Sequence, residues 1–139
     1  MKKFIVAIDQ GTTSSRAILF SITGIPVYTS QQEFTQYFPR SGWVEHDPEE
    51  IWNTTIKVLK NVINKSRKLK GKILSIGITN QRETTILWDR NTGKPVYNAI
   101  VWQDRRTEDY CKKLRNQNKD TIVFNKTGLL IDPYFSGTK

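Results

Sequence analysis

The sequence predicts an α/β fold that opens with an antiparallel three-strand meander, then a helix, then further strands. Three observations carry that expectation. Short apolar, β-branched runs stand at residues 4–8, 16–22 and from 25 onward, joined by turns short enough to require antiparallel neighbours. A strong helix start, Asp47-Pro48-Glu49-Glu50, opens a stretch with apolar residues at helical spacing. A fourth apolar run, at 72–79, follows that helix, and a strand reached through a helix pairs in parallel with its neighbour.

In chain order, residues 4–8 (FIVAI), ended by Asp9, have the pattern of a buried strand. Residues 10–15 (QGTTSS) make a small polar turn containing Gly11, and residues 16–22 (RAILFSI) form the second strand. Thr23-Gly24 is a tight turn into a third strand. Asp47 is the expected N-cap and Pro48 the first helical residue, and Glu50 sits where it completes a capping box. The helix is expected to bury Ile51, Trp52, Thr55, Ile56, Leu59, Val62 and Ile63 and to end near Gly71. Residues 84–89 and 94–101 suit a hairpin around Asn91-Thr92-Gly93, followed by a polar helix over about 105–116 and a short helical or irregular piece. Trp43, Trp52 and Trp88 are assigned to packing, His46 to a structural role, and Cys111 is read as non-catalytic.

Composition narrows the classes. With 139 residues, 37% hydrophobic and 25% charged, the chain is one ordinary globular domain's worth, or a piece of a larger one. A net charge of +9 invites a nucleic-acid partner. The only dense run, Lys65, Arg67, Lys68, Lys70 and Lys72, falls at a helix end, where cations complement the helix dipole. A solvated helix end is therefore the preferred reading, and no nucleic-acid partner is expected. The single Cys111 forms no disulfide within the chain, which suits a cytoplasmic setting, and no apolar stretch approaches a membrane span.

Two motifs carry chemistry. Asp9 ends the first strand, and Gly11-Thr12-Thr13-Ser14 turns into the second. Backbone N–H groups and hydroxyls of such a turn can face phosphate oxygens, with Arg16 adding a positive charge. Asp9 can bind hydrated Mg²⁺. An ordinary β-turn accounts for these residue types equally well. Asn80-Gln81-Arg82-Glu83 ends the fourth strand, where a carboxylate and a guanidinium together suit the hydroxyls of a small polyol. Alone, an Arg-Glu dipeptide reads better as a surface ion pair.

VAIDQGTTSSRAILF and GWVEHDPEEIW resemble the opening segments of the FGGY family of sugar and polyol kinases, within the actin-like ATPase superfamily. ITNQRET, IVWQDRRT and GLLIDPYFSGTK resemble segments of the members that phosphorylate glycerol. The resemblance covers essentially the whole chain, but only the opening portion of the family's. It implies an incomplete ribonuclease-H-like or actin-like ATPase domain. Residues 1–139 would be the N-terminal part of domain I, with the rest of that domain and a C-terminal nucleotide domain lying outside.

The resemblance also implies ATP-dependent phosphorylation of glycerol to sn-glycerol 3-phosphate, with ATP and Mg²⁺ as cofactors. Thr12, Thr13, Ser14 and Arg16 would contact the phosphates, Thr12 also nearing the acceptor, and Asp9 would hold the metal through water. Arg82, Glu83, Trp102 and Tyr134 would line the glycerol pocket, although Trp102 ends an apolar run that also suits core packing. The catalytic base is expected in later sequence, so none is assigned here and neither Asp104 nor Asp132 takes that role. The 139-residue chain alone is expected to be poorly stable and inactive, with an open edge on the fourth strand and an unpartnered helix face. The complete protein is compatible with a homo-oligomer. The alternatives are an FGGY kinase for another polyol or sugar, or a truncated non-catalytic remnant.

Overall fold

Alternation in KKFIVAIDQ places Phe4, Val6 and Ile8 on one face of strand β1 (Lys2–Gln10), and that face is buried. The computed structural model describes residues 1–139. They fall into two units: Met1–Thr35 with Asp47–Gln81, and Gln36–His46 with Arg82–Lys139.

In unit 1, β1 pairs antiparallel with β2 (Ser14–Ser21), which pairs antiparallel with β3 (Pro26–Glu33). The meander expected from the short turns is therefore present. Strand β5 (Gly71–Thr79) lies on the other side of β1 and parallel to it, giving the order β3-β2-β1-β5. The crossover that a parallel pair needs is helix α1 (Pro48–Lys68). Its Val58 and Val62 pack on Phe4, Val6, Ile8, Ala17 and Leu19 to form the core.

The buried stripe of α1 is Ile51, Thr54, Thr55, Val58, Val62 and Ser66. This differs from the face expected from apolar spacing, and Trp52, assigned to packing, is 58% exposed. Hydroxyl pairing is the reason. Ser15 Oγ lies 2.9 Å from Thr54 Oγ1 and 3.1 Å from Thr55 Oγ1, so the helix turns its threonines to the sheet. The expected unpartnered helix face is present in part: Ile51 is buried and Leu59 packs against the core, whereas Ile56 is only half-buried and Trp52 exposed. The open edge on the fourth strand is present, with Leu74, Ile76 and Ile78 exposed on β5.

The start of α1 departs from the expected detail, while its end falls near Gly71 as expected. Asp47 is the N-cap, but its carboxylate accepts from Glu49 N at 2.9 Å. The Glu50 carboxylate accepts instead from Thr35 N and Thr35 Oγ1, each at 3.1 Å, so the capping box does not form. At the C-terminal end a lysine, Lys70, takes the left-handed conformation with φ 53°. Gly71 follows because a Cβ there would lie 2.1 Å from the Phe4 ring.

Unit 2 has little regular structure. Strand β4 (Glu45–His46) pairs antiparallel with β6 (Ala99–Ile100). The expected hairpin survives as single bridges, Thr85 with Ile100 and Trp88 with Pro95, around a turn in which Asp89 Oδ1 accepts from Asn91 N and Thr92 N. Trp88 is 62% exposed, so its packing assignment fails as well. Helix α2 (Glu108–Asn116) starts later than expected because turns at 102–103 and 106–107 precede it, with Asp104 N donating to Val101 O and Glu108 N to Arg105 O, while Arg105 N donates to Gly42 O. Helix α3 (Asp120–Thr127) and a short 3-10 turn (Ser136–Thr138) complete the unit. No helix is long and apolar enough to cross a membrane.

The α1–β5 corner is the most sterically demanding point of unit 1. Gly71→Ala drives a methyl group into a core ring and should lower stability by about 1–3 kcal/mol. Lys70→Gly relieves the left-handed lysine and should raise it by up to about 1 kcal/mol. Denaturant unfolding of the two variants checks both signs, and an unchanged midpoint for Gly71→Ala would mean the Phe4 ring yields freely.

Candidate functional site

The β1–β2 pairing sets the hairpin residues side by side. Asp9 and Arg16 are register partners, and Arg16 Nη2 donates to Asp9 Oδ2 at 2.6 Å. Thr12 and Thr13 form the turn, closed by Gly11 N donating to Ser14 O at 2.9 Å. A Cβ on Gly11 would stand 3.0 Å from that carbonyl, so a side chain there would crowd the turn. Thr13 is exposed, Thr12 half-buried and Ser14 buried, and the Ser14 hydroxyl accepts from Gln31 Nε2 at 2.8 Å. Asp9, Thr12, Thr13 and Arg16 thus share one hairpin end, while the Ser14 side chain is engaged by β3. The Asp9–Arg16 pair is partly exposed on both sides, and such pairs contribute little stability. A phosphate or a hydrated cation can therefore displace one partner at small cost.

In unit 2 the structure brings three of the four polyol candidates together. Glu83 sits at φ 65°, a left-handed conformation uncommon for a side-chain-bearing residue. Two contacts from the 134–139 segment hold it there: Ser136 N donates to Glu83 Oε2 at 2.8 Å, and Lys139 Nζ donates to Glu83 O at 3.1 Å. Lys139 Nζ also donates to Tyr134 O at 2.8 Å. The Tyr134 ring meets Trp102 edge-on, with centroids 5.6 Å apart, and packs on Phe135 from its other neighbour position. Asp132 Oδ1 accepts from Tyr134 N at 2.8 Å and from Arg105 Nη1 at 2.9 Å, which fixes the loop that carries the tyrosine. Trp102 and Glu83 are half-buried and Tyr134 is exposed. Arg82 is exposed beside Glu83 and takes part in no ion pair with a carboxylate.

Reading the sequence missed the group that organises this unit. Glu45 and Asp104 are 2% and 1% exposed, and Arg106 bridges them, with Nη2 lying 2.7 Å from Glu45 Oε1 and 2.9 Å from Asp104 Oδ2. Tyr97 Oη and Asn98 Nδ2 donate to the Glu45 carboxylate at 2.9 and 3.0 Å, and Val44 N donates to Asp104 Oδ2 at 2.7 Å. The Arg106 guanidinium also stacks 3.8 Å from the Trp43 ring centroid, which bears out a packing role for that tryptophan. Burial by itself pushes the Glu45 carboxyl up, but the bonds from Arg106, Asn98 and Tyr97 outweigh it and hold it below the ordinary value. Asp104 is held down the same way, burial being outweighed by Arg106 and the Val44 amide. Burial acts to lower the Arg106 value, and its two carboxylates raise it further than burial lowers it, so the guanidinium stays charged. The only signal in the sequence was the charge-rich QDRR segment, with nothing to pair it to Glu45.

The N-terminal domain model of the FGGY family of carbohydrate kinases matches residues 4–139. The chain is 60% identical over 139 residues to a glycerol kinase of Ectopseudomonas mendocina, covering 100% of this chain and 28% of that protein. It is 63% identical to a glycerol kinase of Marinomonas sp. with the same coverage. Among solved structures, the glycerol kinase of Plasmodium falciparum with ADP superposes at a TM-score of 0.91 and 37% identity, over 99% of this chain and 28% of that one. A gluconate kinase of Lactobacillus acidophilus shares the fold at a TM-score of 0.86 and 23% identity. The chain spans 28% of the length of the curated relatives it matches.

The buried charges set an acid limit for unit 2. Both carboxyls sit lower in the folded state than when unfolded, so their stabilisation is complete above about pH 5 and is lost as pH falls through the lowered folded values. The hydrogen-exchange protection factors of residues 97–106, measured against intrinsic exchange at each pH, should fall as pH drops from about 5 to about 3, and constant protection would contradict the network. Arg106→Ala leaves two carboxylates buried and unpaired and should cost about 3–5 kcal/mol, read by denaturant unfolding.

Proposed function

This chain belongs to the FGGY family of carbohydrate kinases, and from that premise we propose that it supplies the glycerol- and phosphate-contacting part of a cytoplasmic glycerol kinase. The reaction transfers the γ-phosphoryl group of ATP to a terminal hydroxyl of glycerol, giving sn-glycerol 3-phosphate and ADP. The observation that carries the reading is that, in unit 2, Lys139 joins the backbone of Glu83 to that of Tyr134, whose ring meets Trp102. Their chemistry suits a three-carbon polyol: the carboxylate accepts from hydroxyls, the phenol and the neighbouring Arg82 donate, and the indole covers the carbon chain.

On the hairpin, Thr12, Thr13, Ser14 and Arg16 are the phosphate contacts, with Thr12 turned to the acceptor. Of these, Arg16 has to share or leave Asp9 to reach a phosphate, whereas the Ser14 hydroxyl, which accepts from Gln31, still carries its own proton to donate. Asp9 is the residue that would hold Mg²⁺, which neutralises phosphate charge when bound with ATP. The fit is to a largely hydrated ion. Asp9 presents one carboxylate beside an arginine, and the structure contains no group of three or more acidic, histidine or cysteine side chains able to cage a metal.

Neither Asp104 nor Asp132 suits a proton acceptor. Asp104 is buried against Arg106 with its value held down, and Asp132 is occupied by Arg105 and the Tyr134 amide. The chain's own contribution is therefore positioning and charge, which is most of what phosphoryl transfer requires.

The native protein, assayed with ATP and Mg²⁺, should phosphorylate glycerol in preference to pentuloses or gluconate. A preference for a pentulose would move the assignment to another kinase of the family, and no transfer to any polyol would make the product a non-catalytic remnant. Glu83→Gln removes a charged hydrogen-bond acceptor and should lower kcat/KM for glycerol by about 10–100-fold with little change in KM for ATP. Arg16→Ala should show the opposite division, its effect falling on ATP.

A further inference from the structure

Unit 1 is electrically polarised along its sheet. Strand pairing brings the start of β1, the end of β2 and the start of β5 to one pole, with Lys2 opposite Gly71 and Phe4 opposite Ser21. The C-terminal end of α1 feeds into the same pole through Leu69 and Lys70. Lys2 and Lys3 contribute two cations there, and Lys65, Arg67, Lys68, Lys70 and Lys72 contribute five more. None of the seven is in an ion pair. The five carboxylates of the unit stand elsewhere: Asp9 near the end of β1, Glu33 at the end of β3, and Asp47, Glu49 and Glu50 at the start of α1.

The helix dipole accounts for Lys65, Arg67 and Lys68, which lie in the last turn of α1. It does not account for Lys2, Lys3 and Lys72, which come from two strands. The pole also carries apolar points. The β2–β3 turn projects Ile22 and Ile25, 60% and 63% exposed. Beside it lies a depression of about 330 Å³, lined mainly by Phe4, Ile22, Val27 and Leu69 and bordered by Lys2 and Lys3.

We propose that this pole is a docking surface for an anionic lipid bilayer, in which the lysines and Arg67 meet headgroup phosphates and Ile22 and Ile25 enter the interface. The inference is independent of the kinase reading. A polyanion such as nucleic acid would use the cations but gain nothing from two aliphatic side chains on a turn, and the pole presents no exposed aromatic ring for base stacking. A bilayer uses both features, since basic residues bind its surface charge and aliphatic side chains gain from leaving water. Each cation within reach of an anionic surface multiplies partitioning by about fivefold, and the effect fades as salt shortens the screening length.

The test is sedimentation of the native protein with vesicles of phosphatidylcholine alone, or of phosphatidylcholine with about 30% phosphatidylserine, at low and high salt. Binding is expected only to the anionic vesicles and should be reversed by high salt. The exposed or half-exposed triple change Lys65→Glu, Lys68→Glu and Lys70→Glu should weaken it by about 100-fold or more. Ile22→Ser with Ile25→Ser should weaken it by about tenfold while leaving its salt dependence intact. Circular dichroism confirms that the variants remain folded. The proposal is overturned by absence of binding to anionic vesicles, by equal binding to neutral ones, or by a tip variant that binds like the wild type. Tighter binding to duplex DNA than to the anionic vesicles also overturns it and assigns the pole to nucleic acid.

Discussion

Strand β1 has to satisfy two neighbours of opposite direction, and that requirement organises unit 1. The antiparallel side needs only the two-residue turn Thr12-Thr13, which sets Asp9 against Arg16 and faces two threonines outward. The parallel side needs a crossover, and the crossover is α1, whose placement over the sheet is registered by Ser15 against Thr54 and Thr55. The same strand therefore explains why charged and hydroxyl groups meet at one hairpin end and why the core lies under one helix. The opposite pole inherits what remains, a cluster of cations with no acid among them.

Unit 2 is held by a different kind of force. Its regular ladder consists of two residues on each of two strands, too little to satisfy its backbone or define its shape. Buried charge takes that part: Arg106 joins Glu45 and Asp104, and the carboxylates in turn gather the Val44 amide, Tyr97 and Asn98. A buried network of this sort specifies one arrangement because any partial version leaves a charge unpaired in low dielectric. Glu83 depends on the same logic at smaller scale, its left-handed backbone being held by Ser136 and Lys139.

The contrast between the two ion-pair systems bears on function. Arg106 is enclosed and its partners are saturated, so it is suited to structure. Arg16 and Asp9 are open to solvent and weakly bound to one another, so they are suited to exchange partners with a phosphate or a hydrated cation. Exposure, more than residue type, separates the enclosed scaffold charges from those open to a ligand.

The sequence by itself determined the features that local rules govern. Apolar runs and short turns set the meander, Asp47-Pro48 set the start of α1, and the run at 72–79 set a parallel strand, because each depends on residues within a few positions of one another. Motif likeness likewise marked Arg82, Glu83, Trp102 and Tyr134 before any geometry was known. Tertiary structure alone decided the rest. Threonines turned α1 away from its apolar spacing because their hydroxyls found Ser15, which lies 39 and 40 positions away. Glu45 became a buried anchor because Arg106, 61 positions later, reaches it, and Glu83 acquired its backbone amide partner from Ser136, 53 positions later. A lysine run that reads as an ordinary helix end became one pole of a polarised unit only when strand pairing set Lys2 and Lys3 beside it. Such pairings are decided by chain closure, since a polar group under burial bonds to whatever the folded backbone brings within reach, and spacing along the chain carries no record of that partner.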